Sequence, residues 1–349
     1  MAETVAIPTA SDSRALVAQS AGNSVIEVKD LAVEFAVMQG LVPAVNGVSF
    51  SVKKGQTLGI VGESGCGKSV TGLSILRLLP TPPAKMVSGN LLFHRGSGDV
   101  IDLATLAPKG PEMRSIRGNE ISMIFQEPMT SLTPAYTIGQ QIMEAIILHQ
   151  KVTPREAKER AIQILDKVGM PQPKRTVDSY PHQLSGGQLQ RAMIAAALSC
   201  RPSLLIADEP TTALDVTTAA TIIQLMEDLQ AELGMSVMHI SHNLGVIAEV
   251  ADEVAVMYLG KIVEHAPVVD LFYNARHPYT QGLLHSLPQI GRKEKLEPIQ
   301  GVVPEPGAIP PGCGFAPRCP RFIPGKCNAA VPPLIQVGPN HSARCYLYE

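Results

Sequence analysis

The stretch Gly62-Glu63-Ser64-Gly65-Cys66-Gly67-Lys68-Ser69 fits the pattern G-x-x-x-x-G-K-[ST] and decides the fold of this 349-residue chain. It follows the apolar run LGIV at 58–61 and precedes SVTGLSILRLL at 69–79, which can form a helix. A strand, a glycine-rich loop and a helix in this order cradle phosphate, because loop N–H groups and the helix N-terminus point at the anion. The order predicts an α/β domain with a phosphate-binding loop, the P-loop, at residues 62–69.

Individual residues of the P-loop have expected roles. Lys68 should reach the β- and γ-phosphates of a nucleotide, and the Ser69 hydroxyl should bind Mg²⁺. Cys66 lies among N–H donors beside Lys68, surroundings that favour a thiolate. The alternative, a chance glycine-rich turn, is disfavoured by the flanking strand and helix. The residues expected to contact the nucleotide are Gly62, Glu63, Ser64, Gly65, Cys66, Gly67, Lys68, Ser69 and Val70.

A second apolar run, SLLIADEP at 203–210, ends in two carboxylates. Asp208, at the tip of a buried strand, is placed to hold Mg²⁺ through its water shell. Glu209 is then the expected general base, which polarises the attacking water. The alternative is an Asp-Glu pair that is merely solvated at a strand end.

Further apolar runs predict the rest of a parallel sheet. TPRE at 153–156 combines a capping box with Pro at the first helical position, so a helix is predicted from there to Gly169. Four short and continuous apolar runs are typical of buried parallel strands: 58–62, 121–125, 203–208 and 236–242.

Composition divides the chain into three parts. Residues 1–24 are rich in Ala, Ser and Thr, which predicts a disordered tail. A nucleotide-binding domain is expected at 25–287, and the lack of internal repeats indicates a single such unit. Prolines and cysteines concentrate after Leu287, so a separate loop-rich unit is predicted at 288–349.

Charge and hydropathy exclude several classes of partner. Lys plus Arg number 29 and Asp plus Glu number 31, so no basic excess points to nucleic acid. The N-terminus lacks the pattern of a signal peptide, and no stretch approaches the ~18 apolar residues that span a bilayer. The chain is therefore expected in the cytoplasm, and other subunits would supply any membrane-spanning helices.

The run LSGGQ at 184–188 precedes an apolar helix-like stretch that ends at Cys200. Placed between the P-loop and the carboxylate pair, it resembles the signature motif of ABC ATPases. The resemblance implies an ABC-type P-loop ATPase core with an antiparallel β subdomain, a helical signature subdomain at about 127–200 and a loop-rich C-terminal extension. A helix that starts behind Ser and Gly can receive the γ-phosphate of an ATP held by another subunit. The residues expected to do so are Ser185, Gly186, Gly187 and Gln188.

Other positions resemble the family's functional residues. Gln126 resembles the Q-loop glutamine, which contacts Mg²⁺, the attacking water and the membrane subunit. His242 resembles the switch histidine at the γ-phosphate, and Asp215 in TTALD resembles the D-loop aspartate. Phe35, 33 residues before Lys68, is the candidate for the aromatic that stacks on adenine. The alternatives are a satisfied strand-end histidine and an aromatic in the core. The implied Mg²⁺ ligands are Ser69, Gln126 and Asp208.

Longer motifs narrow the resemblance to the oligopeptide and dipeptide importers within the ABC family. They cover the chain from about residue 25 to 349, although Glu127 stands where this subfamily more often carries Asp. The resemblance implies an ATP-hydrolysing subunit that powers import of dipeptides or oligopeptides. The alternatives are a nickel, metal-chelate or other small-solute importer, or a soluble non-transport ABC ATPase. The matching runs are GESGCGKS, MIFQEPMTSLTP, YPHQLSGGQLQR, ADEPTTALDVT, HPYTQGLLHSLP and PGCGFAPRCP.

The resemblance also implies partners and a location. Two ATPase subunits would face each other head to tail, with each ATP between one P-loop and the other signature. Because the chain carries one unit, and the subfamily commonly uses two different subunits, a heterodimer with a second ABC ATPase is expected. Two transmembrane permease subunits and an extracytoplasmic solute-binding protein would complete the system. This chain would lie peripherally at the cytoplasmic face of the inner membrane.

Four cysteines of the C-terminal part are separated by 5, 7 and 17 residues. A reducing cytoplasm disfavours disulfides, and the spacing lacks both the close pairs of structural zinc sites and the common ferredoxin pattern. Spacing alone leaves metal binding and free thiols open. The resemblance implies a [4Fe-4S] cluster that acts as a structural clip, whereas Cys200 is expected to be a buried thiol at a helix end. The expected cluster ligands are Cys313, Cys319, Cys327 and Cys345.

Overall fold

The chain folds around two β-sheets. The computed structural model describes residues 23–38, 40–212, 214–287, 298–304 and 309–349. The predicted tail lies outside the described residues except for residues 23 and 24. The strands are β1 (Ser24–Val37), β2 (Gly40–Lys53), β3 (Thr57–Val61), β4 (Ala84–His94), β5 (Val100–Asp102), β6 (Ile121–Ile124), β7 (Leu204–Asp208), β8 (Ser236–Ser241), β9 (Glu253–Tyr258), β10 (Lys261–Pro267), β11 (Ile335–Gly338) and β12 (His341–Ala343).

The smaller sheet is antiparallel, in the order β2-β1-β4-β5, and the larger sheet has the order β11-β12-β10-β9-β3-β8-β7-β6. The middle strands β9, β3, β8, β7 and β6 of the larger sheet are parallel. Every residue of β3, β6, β7 and β8 is buried, which explains why these strands are continuous apolar runs. The four predicted parallel strands are confirmed.

Helices cover the larger sheet and fill the stretch from residue 128 to residue 198. The predicted capping box at Thr153 and Glu156 is present, and its helix ends before Gly169, which has a φ of +69°. None of the described helices is long and apolar enough to cross a membrane. The helices are α1 (Lys68–Ile75), α2 (Pro111–Ile116), α3 (Pro128–Ser131), α4 (Ile138–Gln150), α5 (Pro154–Lys167), α6 (Pro173–Thr176), α7 (Gly186–Leu198), α8 (Val216–Leu233), α9 (Leu244–Val250), α10 (Val268–Asn274) and α11 (Pro278–His285).

The apolar core has three parts. The first joins the smaller sheet to the larger one and includes Phe93 and Ile60. The second lies between the helices α4 to α8 and the sheet, with Ala161 and Val237 among its members. The third lies on β9 and includes Phe315 from the C-terminal part of the chain. The C-terminal part is therefore packed into the main body.

The described C-terminal residues are loop-rich, as predicted, but they do not form a separate unit. Strand β12 pairs with β10, so that Ala343 lies opposite Glu264 and the hairpin β11-β12 extends the larger sheet. The rings of Tyr258, Tyr279 and Phe315 also pack together, with centroids 4.6–5.4 Å apart. The expectation of a separate unit is corrected here, because a shared sheet and a shared core connect this extension to the rest. The boundaries at 25, 287 and 288 stay predictions.

Candidate active site

The P-loop connects the carboxyl end of β3 to the start of α1, where parallel strands commonly present their ligand-binding loops. Two of its glycines are required because backbone atoms of other segments approach them too closely for a side chain. A Cβ at Gly62 would lie 2.2 Å from the carbonyl oxygen of Met257, and one at Gly67 would lie 2.4 Å from that of Ala44. Lys68 is buried, and its Nζ donates to the Gly62 and Glu63 carbonyl oxygens at 2.7 and 3.1 Å. The loop is thus held tightly against its neighbours.

Asp208 ends β7 beside the P-loop, 5% exposed. Its Oδ1 has no hydrogen-bond partner among the described residues, and the nearby Ser69 side chain acts to lower the pKa of the carboxyl group. Burial raises the pKa of Asp208, since the charged form loses its hydration. A buried carboxylate oxygen without a partner, next to a hydroxyl, is an arrangement that a hard cation such as Mg²⁺ would satisfy.

Glu209 brings together the residues that the sequence predicted for catalysis. Its backbone has a φ of +48°, a conformation that costs energy for a residue with a side chain and is common at functional sites. Gln126 Nε2 donates to its carboxylate at 3.2 Å, Thr212 Oγ1 donates at 3.0 Å, and His242 Nδ1 lies 2.9 Å away. Burial alone would raise the pKa of Glu209, but the hydrogen bonds from His242 and Thr212 outweigh it and lower the pKa. The carboxylate is therefore ionised at neutral pH, as a general base requires.

The expectation of a Cys66 thiolate is wrong. The side chain is 4% exposed, and burial raises the pKa of this thiol more than the neighbouring Lys68 lowers it. Desolvation disfavours the charged thiolate, and the burial that causes this desolvation cannot be recognised from the local sequence. Cys200, in contrast, is the buried thiol just beyond α7 that the sequence predicted.

The signature residues are held by local contacts. Ser185 caps α7 by accepting the Gln188 N–H, and the Gln188 side chain accepts the Ser185 N–H at 3.0 Å. Ser185 and Gly186 are exposed, while Gly187 and Gln188 are half-buried. Asp215 caps α8 through the N–H and hydroxyl of Thr218. The roles of these residues stay predictions.

Phe35 is a residue of the smaller sheet. It sits in β1 opposite Val42 and Ala84, half-buried, and packs against the core of the smaller sheet. This position serves the core, and stacking on adenine stays a prediction.

Two residues that contact the P-loop were not identified from the sequence. Arg318 donates two hydrogen bonds to the Glu63 carboxylate, at 2.7 and 3.0 Å, and the Tyr279 hydroxyl accepts the Glu63 N–H at 2.9 Å. More than 200 residues separate Glu63 from each of them, so spacing carries no signal of the contact. They lie in the runs HPYTQG and APRC, which the sequence marked only as part of the family resemblance.

The four C-terminal cysteines line one small cavity. Cys327 and Cys345 are buried, Cys313 and Cys319 are half-buried, and all four thiols are free. Burial, with smaller contributions from the other three thiols, raises the pKa of Cys313 to about 11. Among the described residues no group of three or more His, Cys, Asp or Glu is arranged to hold a metal ion. The thiols therefore surround a common space without the close grouping that a single ion needs.

Comparison with known proteins gives the family. Residues 45–212 match the ABC transporter family, and residues 263–327 match the C-terminal region of oligopeptide/dipeptide transporters. The solved dimer of the ATP-binding cassette MJ0796 bound to ADP and Pi is similar, with a TM-score of 0.61, 27% identity, and coverage of 70% of this chain and 98% of that one. The fold and its P-loop thus define an ABC-type ATPase.

Full-length relatives narrow the class. The oligopeptide transport ATP-binding protein AppD of Bacillus subtilis is 48% identical over 328 residues, which are 94% of this chain and 98% of that protein. The dipeptide transport ATP-binding protein DppD of the same organism is 47% identical over 327 residues, 93% of this chain and 95% of that protein. The chain belongs to the ATP-binding subunits of the oligopeptide and dipeptide ABC importers.

Proposed function

We propose that this chain binds ATP at the P-loop and hydrolyses it with Glu209 as general base to power peptide import. The observation that carries the proposal is the contact set of Glu209, which joins Gln126, Thr212 and His242 at one ionised carboxylate. Asp208 precedes Glu209 at the end of β7, and Lys68 is the first residue of α1 after the P-loop. A positioned base beside a phosphate loop is the arrangement that phosphoryl transfer to water needs.

The site residues would have different roles in hydrolysis. Lys68 would exchange its two carbonyl acceptors for phosphate oxygens, which bind an ammonium group more strongly. Glu209 would orient the water and accept its proton, while Gln126 and His242 hold the Glu209 carboxylate in place. Asp208 and Ser69, with Gln126, would hold Mg²⁺, which neutralises charge on the phosphates.

The second half of the site would come from another subunit. Ser185 and Gly186 are exposed at the start of α7, where N–H groups and the helix dipole can meet a γ-phosphate. We propose a head-to-tail heterodimer with a second ABC ATPase, in which each ATP lies between one P-loop and the partner's signature. The stretch around Gln126 to Gln150 would pass closure of the dimer to the membrane subunits.

The transported solute is proposed to be a dipeptide or oligopeptide. The support is that relatives nearly half identical over the full length are named for oligopeptide and dipeptide transport. Two permease subunits and an extracytoplasmic solute-binding protein would complete the importer, with this chain peripheral at the cytoplasmic face of the inner membrane. No nucleic-acid partner is proposed.

One experiment tests both activity and solute. Deleting the gene in its host should abolish uptake of labelled di- or oligopeptides, and the wild-type gene should restore it, whereas the Glu209→Gln gene should not. Loss of labelled nickel uptake with normal peptide uptake would favour the metal-chelate alternative. Purified protein that hydrolyses no ATP, alone or with its partner subunits, would overturn the ATPase assignment.

A [4Fe-4S] cluster is proposed at Cys313, Cys319, Cys327 and Cys345. The support is that all four thiols line one cavity. Bound iron would turn the mutual repulsion of four thiolates into attraction and would lend folding free energy to a segment rich in loops. Anaerobically purified protein should be brown, with about four iron and about four sulfide ions per chain. Colourless protein with stoichiometric zinc, or with four freely titrating thiols, would contradict it.

A further inference from the structure

The C-terminal extension makes a direct ionic contact with the P-loop. Arg318 donates from both terminal nitrogens to the Glu63 carboxylate, at 2.7 and 3.0 Å. The side chains of Arg318 and Glu63 are only 4% and 27% exposed. A bidentate pair of this kind is directional, and breaking it from one side leaves a poorly hydrated charge without its partner.

Arg318 is itself fixed before it reaches the loop. Its Nε donates to the carbonyl oxygen of Gln300, and its Nη1 donates to the Tyr258 hydroxyl at 3.3 Å. The centre of the guanidinium lies 5.9 Å from the ring centroids of Tyr258 and Phe315. The guanidinium therefore offers Glu63 one orientation, set by the extension and by β9.

Glu63 is held at its backbone as well. Its N–H donates to the hydroxyl of Tyr279, a fully buried residue of α11, and its carbonyl oxygen accepts from Lys68 at 3.1 Å. Glu63, whose side chain binds Arg318, thus also provides a backbone acceptor for Lys68, the expected phosphate-binding residue. A shift of Glu63 would move the acceptor of that lysine.

The ion pair between Arg318 and Glu63 also affects the electrostatics of the P-loop. A carboxylate on a phosphate-binding loop repels the anion that the loop must bind, unless a cation neutralises it. Arg318 is the cation that lies on this carboxylate. Without it, the uncompensated charge of Glu63 would repel the incoming phosphates.

We propose that Arg318 is a positioning residue for the nucleotide site: it neutralises Glu63 and holds the P-loop in the shape that receives ATP. The C-terminal extension thereby sets the affinity for nucleotide. The inference rests on the proposed function, since it assumes that the P-loop binds ATP. We expect Arg318 to affect the binding of ATP and not the hydrolysis step, because Arg318 contacts neither Glu209 nor His242.

The test compares four variants of the full-length protein in equilibrium titration with Mg-ATP and in steady-state hydrolysis. Arg318→Gln should raise the dissociation constant and KM for ATP about tenfold, while kcat changes less than twofold. Arg318→Lys keeps the charge without the two parallel bonds, so its loss should be smaller. Lys326→Gln is the matched control, because it removes an exposed ion pair with Glu349 from the same extension and should change neither constant.

The double variant Glu63→Gln/Arg318→Gln separates positioning from a merely structural role. Removing the carboxylate as well as its partner should restore much of the affinity that Arg318→Gln loses, whereas lost packing of Arg318 would not be rescued. An Arg318→Gln protein whose ATP affinity stays within twofold of wild type, or a double variant no tighter than Arg318→Gln, would overturn the inference and leave the proposed function intact. Wild-type protein that binds no ATP would overturn both.

Discussion

The P-loop and the signature segment share one design, small residues ahead of a helix, but they are supported differently. The P-loop is packed against distant parts of the chain: Met257, Ala44, Tyr279 and Arg318 all lie on it. The signature segment is held by its own capping box, and its first residues face solvent. One half of the proposed site is thus shaped within the chain, whereas the other presents its donors outward for a partner.

This difference separates two kinds of defect. Changes at the P-loop should alter how one chain binds nucleotide. Changes at the signature should leave that binding intact and alter hydrolysis, which in the proposed head-to-tail dimer needs two chains. Five variants test the division, and their expected effect on the nucleotide site is greatest for Glu209→Gln and least for His239→Leu.

Glu209→Gln should have the largest effect. The amide cannot accept a proton from water, so turnover should fall about 10²-fold or more, while ATP still binds. Steady-state hydrolysis and ATP titration of the purified protein measure the two quantities, and the closed dimer should accumulate with ATP in gel filtration. Glu159→Gln, at an exposed carboxylate of α5, is the control and should behave as wild type. Near-normal turnover in Glu209→Gln would remove Glu209 from the role of base.

Lys68→Ala should act on binding. It removes a buried ammonium group that is placed to meet phosphate oxygens, so the dissociation constant for ATP should rise about 10- to 100-fold. Titration of the isolated chain is sufficient, because this half of the site needs no partner. Unchanged affinity would mean that the loop does not hold the phosphates.

Ser185→Ala and Thr153→Ala form a matched pair, since each removes the N-terminal cap of a helix. Both should cost about 1 kcal/mol of stability in denaturant unfolding. Only Ser185→Ala should also lower hydrolysis by the assembled transporter, by about tenfold if one hydrogen bond to phosphate is lost. Equal turnover in the two variants would show that the signature serine is a helix cap and nothing more.

His239→Leu should have the smallest effect on nucleotide binding and hydrolysis, and its main effect concerns stability in acid. Burial lowers the pKa of His239 to about 4, and neither ring nitrogen has a partner among the described residues. The unfolded chain binds a proton near pH 6.5 and the folded chain does not, so stability is lost as pH falls from 6.5 towards 4. At pH 5 the loss due to this residue is about 2 kcal/mol.

The leucine variant should therefore lose less stability than wild type between pH 7 and pH 5 in thermal unfolding. The exposed His285 provides the control, and His285→Leu should follow the wild-type curve. An acid profile that is unchanged in His239→Leu would contradict the assigned burial effect. Strand β8 pairs with β3, which leads into the P-loop. This variant therefore also tests how much the sheet beneath the P-loop contributes to the stability of the P-loop half of the site.

Much of the fold could be predicted because its signals are local. Continuous apolar runs mark buried strands, and the capping box at Thr153 marks the start of α5, since both depend on residues a few positions apart. The grouping of Gln126, Glu209 and His242 followed from the family resemblance.

The remainder depends on contacts that only the folded chain makes. The pair of Glu63 and Arg318 spans 255 positions, and Cys66 is protonated because distant residues bury it. Strands β11 and β12 are four and three residues long, too short for an alternating pattern, so their place in the sheet was missed. Long-range packing decided each of these points.

The pairing of β12 with β10 also determines what happens to a shortened protein. A chain cut before residue 335 would leave the N–H and C=O groups of β10 open at a sheet edge, which invites association with another edge. The cut would also take His341 from Glu264, a carboxylate with no exposed surface. Among the described residues, Glu264 would then keep only the N–H groups of Arg276 and His277. Proteolytic clipping at this hairpin is therefore expected to yield aggregates and not a smaller working ATPase.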